Sequence, residues 1–118
     1  VLSAVLPLQA PMGPNHIYEL RWYRTHTGRA GEWLGHFKAI MLTREKYSKR
    51  VGLWQTEMGQ LNEVVHMWGY DDLNDRTARR NAMQADPAWG AYLPKGTSLL
   101  LNMENAILRP APFWKPAA

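Results

Sequence analysis

The stretch VGLWQTEMGQLNEVVHMWGYDDLNDR, residues 51–76, decides the fold of this chain. It contains two runs rich in β-branched and aromatic residues, Val51–Met58 and Leu61–Tyr70, with only a Gly-Gln pair between them. Two strand-like runs joined by so short a glycine-containing link predict an antiparallel hairpin. The two aspartates after the second run predict the start of a helix, because acidic residues favour the positive end of the helix dipole.

The segments around this hairpin complete a regular order of elements. His16–Thr25 has the composition of a strand, and the apolar residues after it recur at three- and four-residue steps, which predicts an amphipathic helix. A second helix follows the hairpin, Asp86 and Pro87 start a short further helix, and Ser98–Pro110 is the last strand. The order βαββαβ is typical of an α+β, ferredoxin-like fold, in which two helices cover one face of a four-stranded antiparallel sheet.

The length of 118 residues fits a single domain. We expect this domain to span residues 16–110. An irregular N-terminal tail, residues 1–15, precedes it, and Met12 within that tail is a candidate initiator. A proline-rich C-terminal tail, residues 111–118, follows.

Composition narrows the set of partners. The chain has no cysteine, which excludes disulfides and thiolate metal sites and favours a reducing, cytoplasmic compartment. No run approaches the roughly 20 apolar residues of a membrane span, so no membrane partner is expected. The net charge is +4, but the longest purely basic runs are pairs, so no nucleic-acid partner is predicted. An RNA-binding RRM would also need a basic-Gly-aromatic third strand, where this chain has LNEVVHMWGY.

Helices on one face of the sheet leave the other face bare. We expect the bare face to carry Ile17, Tyr23, Trp54 or Leu53, Trp68 or Met67, and leucines of the last strand. Such a patch exceeds the few hundred Å² of contiguous apolar surface that monomers expose. The simplest cover is a second copy related by a two-fold axis, so a homodimer through the open sheet face is predicted.

Several segments of the chain resemble the NIPSNAP family. They are IYELRWYR, GEWLGHFK, VGLWQTEMGQLNEVVHMWGYDDLNDRTARR, DPAWGAYL and NMENAILRP, and together they cover residues 17–110. The resemblance implies a ferredoxin-like fold of the dimeric α/β-barrel type, in which two sheets close face to face. It implies no established reaction. Relatives in the wider superfamily include cofactor-independent monooxygenases, haem enzymes and small-molecule isomerases, so the fold alone assigns no activity.

His66 lies in the middle of an apolar run. Its strand position predicts that it shares a face with Asn62, Val64, Trp68 and Tyr70. An imidazole in a half-buried pocket can act as a general base, a haem ligand or a hydrogen-bonding group for a substrate. The alternative is a core histidine satisfied by a backbone carbonyl or a carboxylate.

Other polar and aromatic residues are candidates for the same pocket. Glu19 and Arg21, which with His66 are the catalytic candidates, either bind an anionic or carbonyl-bearing ligand or form a buried ion pair that fixes dimer register. Glu57 faces the cavity or solvent at the hairpin end. The further candidate ligand-binding residues are Trp54, Asn62 and Tyr70, while Trp33 and Trp68 line a flat pocket or belong to the core.

For two groups of residues the sequence predicts no role in a binding site. Arg76, Arg79 and Arg80 are predicted to form the solvated face of the second helix. No pair of histidines has metal-ligand spacing, so neither a metal nor a cofactor is predicted.

Three functions fit the sequence. The first is a homodimer of undefined activity that binds a small molecule in a pocket near the sheet, and the second is an enzyme similar to the cofactor-independent monooxygenases or isomerases. The third is a structural or adaptor dimer without chemistry.

Overall fold

The computed structural model of the chain describes residues 14–114, and its elements follow the predicted order. The strands are β1 (Ile17–Thr25), β2 (Lys49–Gln55), β3 (Glu63–Tyr70) and β4 (Leu100–Leu108), and the helices are α1 (Ala30–Glu45), α2 (Leu73–Gln84) and α3 (Pro87–Thr97). The prediction of an α+β, ferredoxin-like fold is confirmed, with the second helical segment divided into α2 and α3. Residues 1–13 and 115–118, which belong to the two predicted tails, lie outside the described residues.

The four strands form one sheet in the order β2-β3-β1-β4. Every neighbouring pair is antiparallel, and β1 lies between β3 and β4. The register places Arg21 of β1 directly opposite His66 of β3, so the two side chains emerge side by side on one face. In edge strand β2 the register shifts between Arg50 and Gly52, which indicates a bulge.

Local sequence explains where α2 and α3 begin. The Asp72 carboxylate accepts a hydrogen bond from the backbone nitrogen of Asp75 at 2.7 Å, and the Asp75 carboxylate accepts one from the backbone of Asp71 at 2.9 Å. The pair resembles a capping box, except that the Asp75 carboxylate bonds the backbone of Asp71, one residue before the N-cap Asp72. Asp86 caps α3 through the backbone of Ala88 at 2.9 Å, and proline occupies the first turn. Both helix starts were predicted correctly.

The helices cover one face of the sheet and form the core with it. On β1 this covered face carries Ile17, Glu19, Tyr23 and Thr25, all buried. On β3 it carries Val64, His66, Trp68 and Tyr70, all buried as well. Apolar side chains of the helices complete the core: Ala30, Trp33, Phe37, Ile40, Met41, Met83, Trp89 and Tyr92.

The other face of the sheet, which we call the open face, meets none of the three helices described above. Its apolar residues and glycine are Tyr18, Leu20, Trp22, Gly52, Trp54, Val65, Met67, Ala106 and Leu108, and its polar residues, Arg24, Glu63, Asn102 and Glu104, lie together at one end. Most of these side chains are half-buried, and Trp54 is 51% exposed.

The predicted composition of the open face is right for Trp54 and Met67 and wrong for Ile17, Tyr23 and Trp68, which lie under the helices. Both faces of β1 carry large side chains, so alternation alone does not say which face meets the helices. In the observed orientation the buried charge of Glu19 is neutralised by arginines of β1 and α2.

Gly52 makes room for an aromatic ring on the open face. A Cβ atom at this position would lie 2.4 Å from the Trp54 ring, closer than any real contact. The indole therefore lies flat across the backbone of its own strand and extends the apolar surface of the open face.

Within residues 14–114, every helix falls short of the length and hydrophobicity that crossing a bilayer requires.

Candidate functional site

A cavity of about 120 Å³, which we call the chamber, lies between the covered face of the sheet and the helices. Its lining comes from every helix and from strands β1, β3 and β4. The residues that bear on its chemistry are Arg21, Tyr23, Trp33, Phe37, Arg44, His66, Arg80, Trp89 and Tyr92. Exposed Leu93, Thr97 and Met103 also line the chamber, which therefore reaches the surface between α3 and β4.

The contacts of His66 define its tautomer. The side chain is buried, and its Nδ1 accepts a hydrogen bond of 2.6 Å from Nε1 of Trp68. An indole nitrogen can only donate, so Nδ1 carries no proton and the proton of the neutral ring is on Nε2. Within residues 14–114, Nε2 has no hydrogen-bond partner. His66 therefore presents one unpaired N–H group.

Trp33 presents a second unpaired donor. Its ring stacks on Phe37, with centroids 4.7 Å apart, and lies 5.8 Å from the imidazole of His66. Its Nε1 is buried and has no partner among the described residues. Most buried polar atoms in proteins are paired, and leaving one unpaired costs about 1–3 kcal/mol. Two such donors on one aromatic-walled chamber indicate a site for a molecule that carries hydrogen-bond acceptors.

The surroundings of His66 keep it neutral. Burial lowers its pKa well below the usual value, and the positive charges of Arg44, Arg21 and Arg80 lower it further, against a smaller opposing effect of Glu19. A neutral ring with its proton on Nε2 is a hydrogen-bond donor. To act as a base through Nε2 it would have to change tautomer and break the bond from Trp68. The geometry therefore favours ligand binding by His66 over proton abstraction.

A pH dependence of stability follows from the lowered pKa of His66. In the unfolded chain a histidine binds a proton below about pH 6.5. Because His66 stays neutral in the folded chain, the unfolded state binds more protons there, and the free energy of unfolding falls as pH decreases. We expect a loss of up to about 1.4 kcal/mol per pH unit between pH 6.5 and 5, measured by urea unfolding.

The control for this measurement is the exposed His26. His66→Asn retains an acceptor for Trp68 but does not titrate, so most of the slope should disappear. His26→Asn should keep it. An equal slope in His66→Asn and the unsubstituted protein would contradict the assignment.

Glu19 is the centre of a buried ion cluster beside the chamber. Its carboxylate is fully buried and accepts hydrogen bonds from Arg21 at 2.9 Å, Arg76 at 2.7 Å and Asn105 at 2.7 Å, with Arg80 at 4.0 Å. Burial alone would raise the pKa of Glu19. The hydrogen bonds from Arg76 and Asn105 and the charges of Arg21 and Arg76 outweigh burial and lower that pKa to about 2. Glu19 is therefore ionised and structural, and it anchors α2 to the sheet.

Arg44 is a buried cation on α1. It is 2% exposed, donates to Ser48 Oγ at 2.8 Å and to Met83 Sδ at 3.2 Å, and places its guanidinium carbon 4.2 Å from the centre of the Trp68 ring. The centre of the Trp89 ring lies 5.7 Å from the same carbon. Aromatic faces attract cations by their quadrupoles, more strongly when water is excluded. These contacts offset part of the cost of burying the charge, since a cation–π interaction contributes about 0.5–2 kcal/mol.

The structure brings some of the predicted site residues together and separates others. His66 and Arg21 line the chamber, with Glu19 next to them, and Tyr70 is buried nearby with its hydroxyl 2.7 Å from Ser48. Asn62 lies outside β3 with φ of 64° and accepts a hydrogen bond from Gly28 at 2.9 Å, so it fixes a loop.

The other two predicted residues lie farther from the chamber. Trp54 belongs to the open face, and Glu57 is exposed in the loop after β2. Neither contributes to the chamber lining.

Sequence reasoning missed three arginines. Arg76 and Arg80 do not form a solvated face, since both side chains are mostly buried and point towards Glu19. Only Arg79 fits that prediction, pairing with Asp75 near the surface at 2.8 Å. Arg44 carried no distinctive signal in the sequence. In the part of the chain that the structure describes, no group of three or more His, Asp or Glu residues is arranged to hold a metal.

Comparison with known proteins places the chain in one family. The NIPSNAP family model matches residues 18–115. A NipSnap homolog of Dictyostelium discoideum is 34% identical over 96 residues, which is 81% of this chain and 43% of that protein. Human NipSnap homolog 2 is 35% identical over 98 residues, 83% of this chain and 34% of that protein. The chain thus spans less than half the length of these relatives.

Solved structures agree with the family match. A NIPSNAP-like domain protein from Burkholderia xenovorans, described as uncharacterized, superimposes with a TM-score of 0.80 at 38% identity, covering 88% of this chain and 92% of its own. A protein of antibiotic biosynthesis monooxygenase type from Chloroflexus aurantiacus superimposes with a TM-score of 0.63 at 11% identity, covering 85% of this chain and 97% of its own. The second likeness shows the fold alone.

Proposed function

This chain belongs to the NIPSNAP family, whose biochemical function is not known, and from that premise we propose that it forms a homodimer in which each subunit binds one small molecule in its chamber. The observation that carries the proposal is the pair of buried, unpartnered donors, His66 Nε2 and Trp33 Nε1, on an aromatic-walled cavity. A ligand that carries hydrogen-bond acceptors would provide partners for these donors.

The open face supports the homodimer. Four strands about 4.8 Å apart and about eight residues long present roughly 500 Å² in projection, so two copies would cover about 1,000 Å² in total, the lower end of the range for specific interfaces. Its central side chains are apolar and aromatic, and its polar residues, Arg24, Glu63, Asn102 and Glu104, lie at one end. A second copy offers a surface of the same chemistry, as a two-fold interface requires. The absence of cysteine supports, as a further proposal, a reducing compartment such as the cytoplasm.

A fragment screen tests ligand binding. We expect small flat molecules with oxygen acceptors to change the intrinsic fluorescence of the protein, because Trp33 and Trp89 line the chamber. Trp33→Phe and His66→Asn should each weaken binding about fivefold to tenfold, since each removes one hydrogen bond of about 1 kcal/mol.

The matched control is Trp54→Phe, which removes an indole from the open face and leaves the chamber intact. It should retain full affinity. A screen without binders, or equal loss in Trp54→Phe and Trp33→Phe, would refute a chamber site.

A further inference from the structure

The charges around the chamber do not balance. Arg21, Arg44 and Arg80 line it. The carboxylate that meets two of them, Glu19, is 2.9 Å from Arg21 and 4.0 Å from Arg80, but it is also shared with Arg76 at 2.7 Å. Among the described residues, one anion therefore faces an excess of guanidinium groups.

Arg44 is the clearest case of this excess. Its contacts within residues 14–114 are the hydroxyls of Ser48 and Tyr70, a thioether and aromatic rings, and none of them is a carboxylate. A guanidinium remains charged even when buried. Burying a cation without a counter-charge costs several kcal/mol. An anion bound in the chamber would remove this cost.

The dimensions and walls of the chamber restrict that anion. A cavity of about 150 Å³ holds benzene, so the chamber, at about 120 Å³, admits about five or six non-hydrogen atoms. Its walls are largely aromatic, with Phe37, Trp89 and Tyr92 among them. Phosphate would turn oxygens towards these apolar rings. A carboxylate at one end of a short flat carbon chain places its oxygens on the cations and its carbons on the rings.

We propose that the ligand is a short, flat monocarboxylate whose charged end meets Arg44 and Arg80 and whose carbon chain lies between the aromatic walls. This inference rests on the proposed function, because it specifies the ligand of the same chamber. Among residues 14–114, the ion pair of Arg80 is the 4.0 Å contact with Glu19, and its side chain is 20% exposed, so its guanidinium is available to an incoming anion. The unpaired donors of Trp33 and His66, residues that also line the chamber, provide for the ligand's oxygen atoms.

The test compares crotonate with crotonamide, which have the same number of non-hydrogen atoms and differ in charge. Titrations followed by NMR shifts of chamber residues, at constant ionic strength, should show crotonate binding at least about tenfold more tightly than the amide. Inorganic phosphate at the same concentrations should shift these residues much less. Arg80→Gln should reduce crotonate affinity about tenfold and leave the affinity for crotonamide unchanged.

Arg79→Gln is the matched control, because Arg79 lies on the same helix and pairs with Asp75 outside the chamber. It should bind crotonate as the unsubstituted protein does. Equal binding of acid and amide, phosphate binding as tight as that of crotonate, or equal loss in the two arginine variants would overturn the carboxylate assignment. If neutral fragments bind the chamber and crotonate does not, the carboxylate assignment alone fails. If no fragment binds, the proposed function fails with it.

Discussion

Replacing Glu19 by glutamine is expected to lower the free energy of unfolding by about 3–5 kcal/mol. The carboxylate is fully buried and is the anion shared by Arg21, Arg76 and Arg80. Glutamine has a similar shape but no charge, so it would leave buried guanidinium groups without a counter-charge. Removing one partner of a buried ion pair is far more costly than replacing both by apolar groups. Urea unfolding measures the loss directly.

The control for Glu19 is Glu32→Gln. Glu32 pairs with Arg29 on the surface of α1, with about half of each side chain exposed. Such a pair contributes about 0.2–1 kcal/mol. Similar losses in the two variants would show that the Glu19 cluster does not stabilise the fold.

Acid unfolding provides a second readout of the same cluster. The pKa of Glu19 is lowered from 4.5 to about 2, so its contribution is present above pH 4.5 and is lost as pH falls towards 2. Glu19→Gln should lack this part of the acid dependence.

Leu20→Lys is expected to separate the proposed dimer into single chains. Leu20 lies on the open face of β1, between Met67 of β3 and Ala106 of β4. Each dimer would contain the substitution twice because the interface is two-fold symmetric. Losing about 2 kcal/mol of apolar burial and placing an unpaired ammonium at each site should weaken association at least a thousandfold. Sedimentation equilibrium distinguishes the mass of two chains from that of one.

Leu42→Lys makes the same substitution on the outer surface of α1, where Leu42 is 58% exposed. This variant should remain dimeric. An unsubstituted protein that stays a single chain at high concentration would contradict the homodimer, as would dissociation of both lysine variants alike.

Local patterns were sufficient to predict the fold. Alternation in the hairpin, helical periodicity after β1, and the caps at Asp72 and Asp86 each depend on residues near one another in the chain. Such signals give the order of elements, and that order restricts the topology to few choices. Strand alternation also placed His66 on a buried face, as a pocket residue or as a core histidine.

Which face of β1 meets the helices, and which cations line the chamber, depends on contacts between residues far apart in the sequence. Local patterns carry no information on such contacts. Glu19 meets Arg76, which is 57 residues away, and Asn105, which is 86 residues away. A polar pair such as Glu19 and Arg21 normally predicts an exposed face. In the folded chain this pair is buried, and the α2 residues Arg76 and Arg80 also contact Glu19. Arg44 likewise depends on Trp68 and Trp89 meeting around it in the folded chain.

The bulge in β2 affects how readily another chain can add as a strand at this edge of the sheet. An outer strand with a continuous row of free backbone groups is a template onto which other chains can add as further strands. In β2 the hydrogen-bonding register breaks between Arg50 and Gly52, and Lys49 and Arg50 place positive charge at the same end. A second copy would therefore find regular cross-β addition along this border unfavourable.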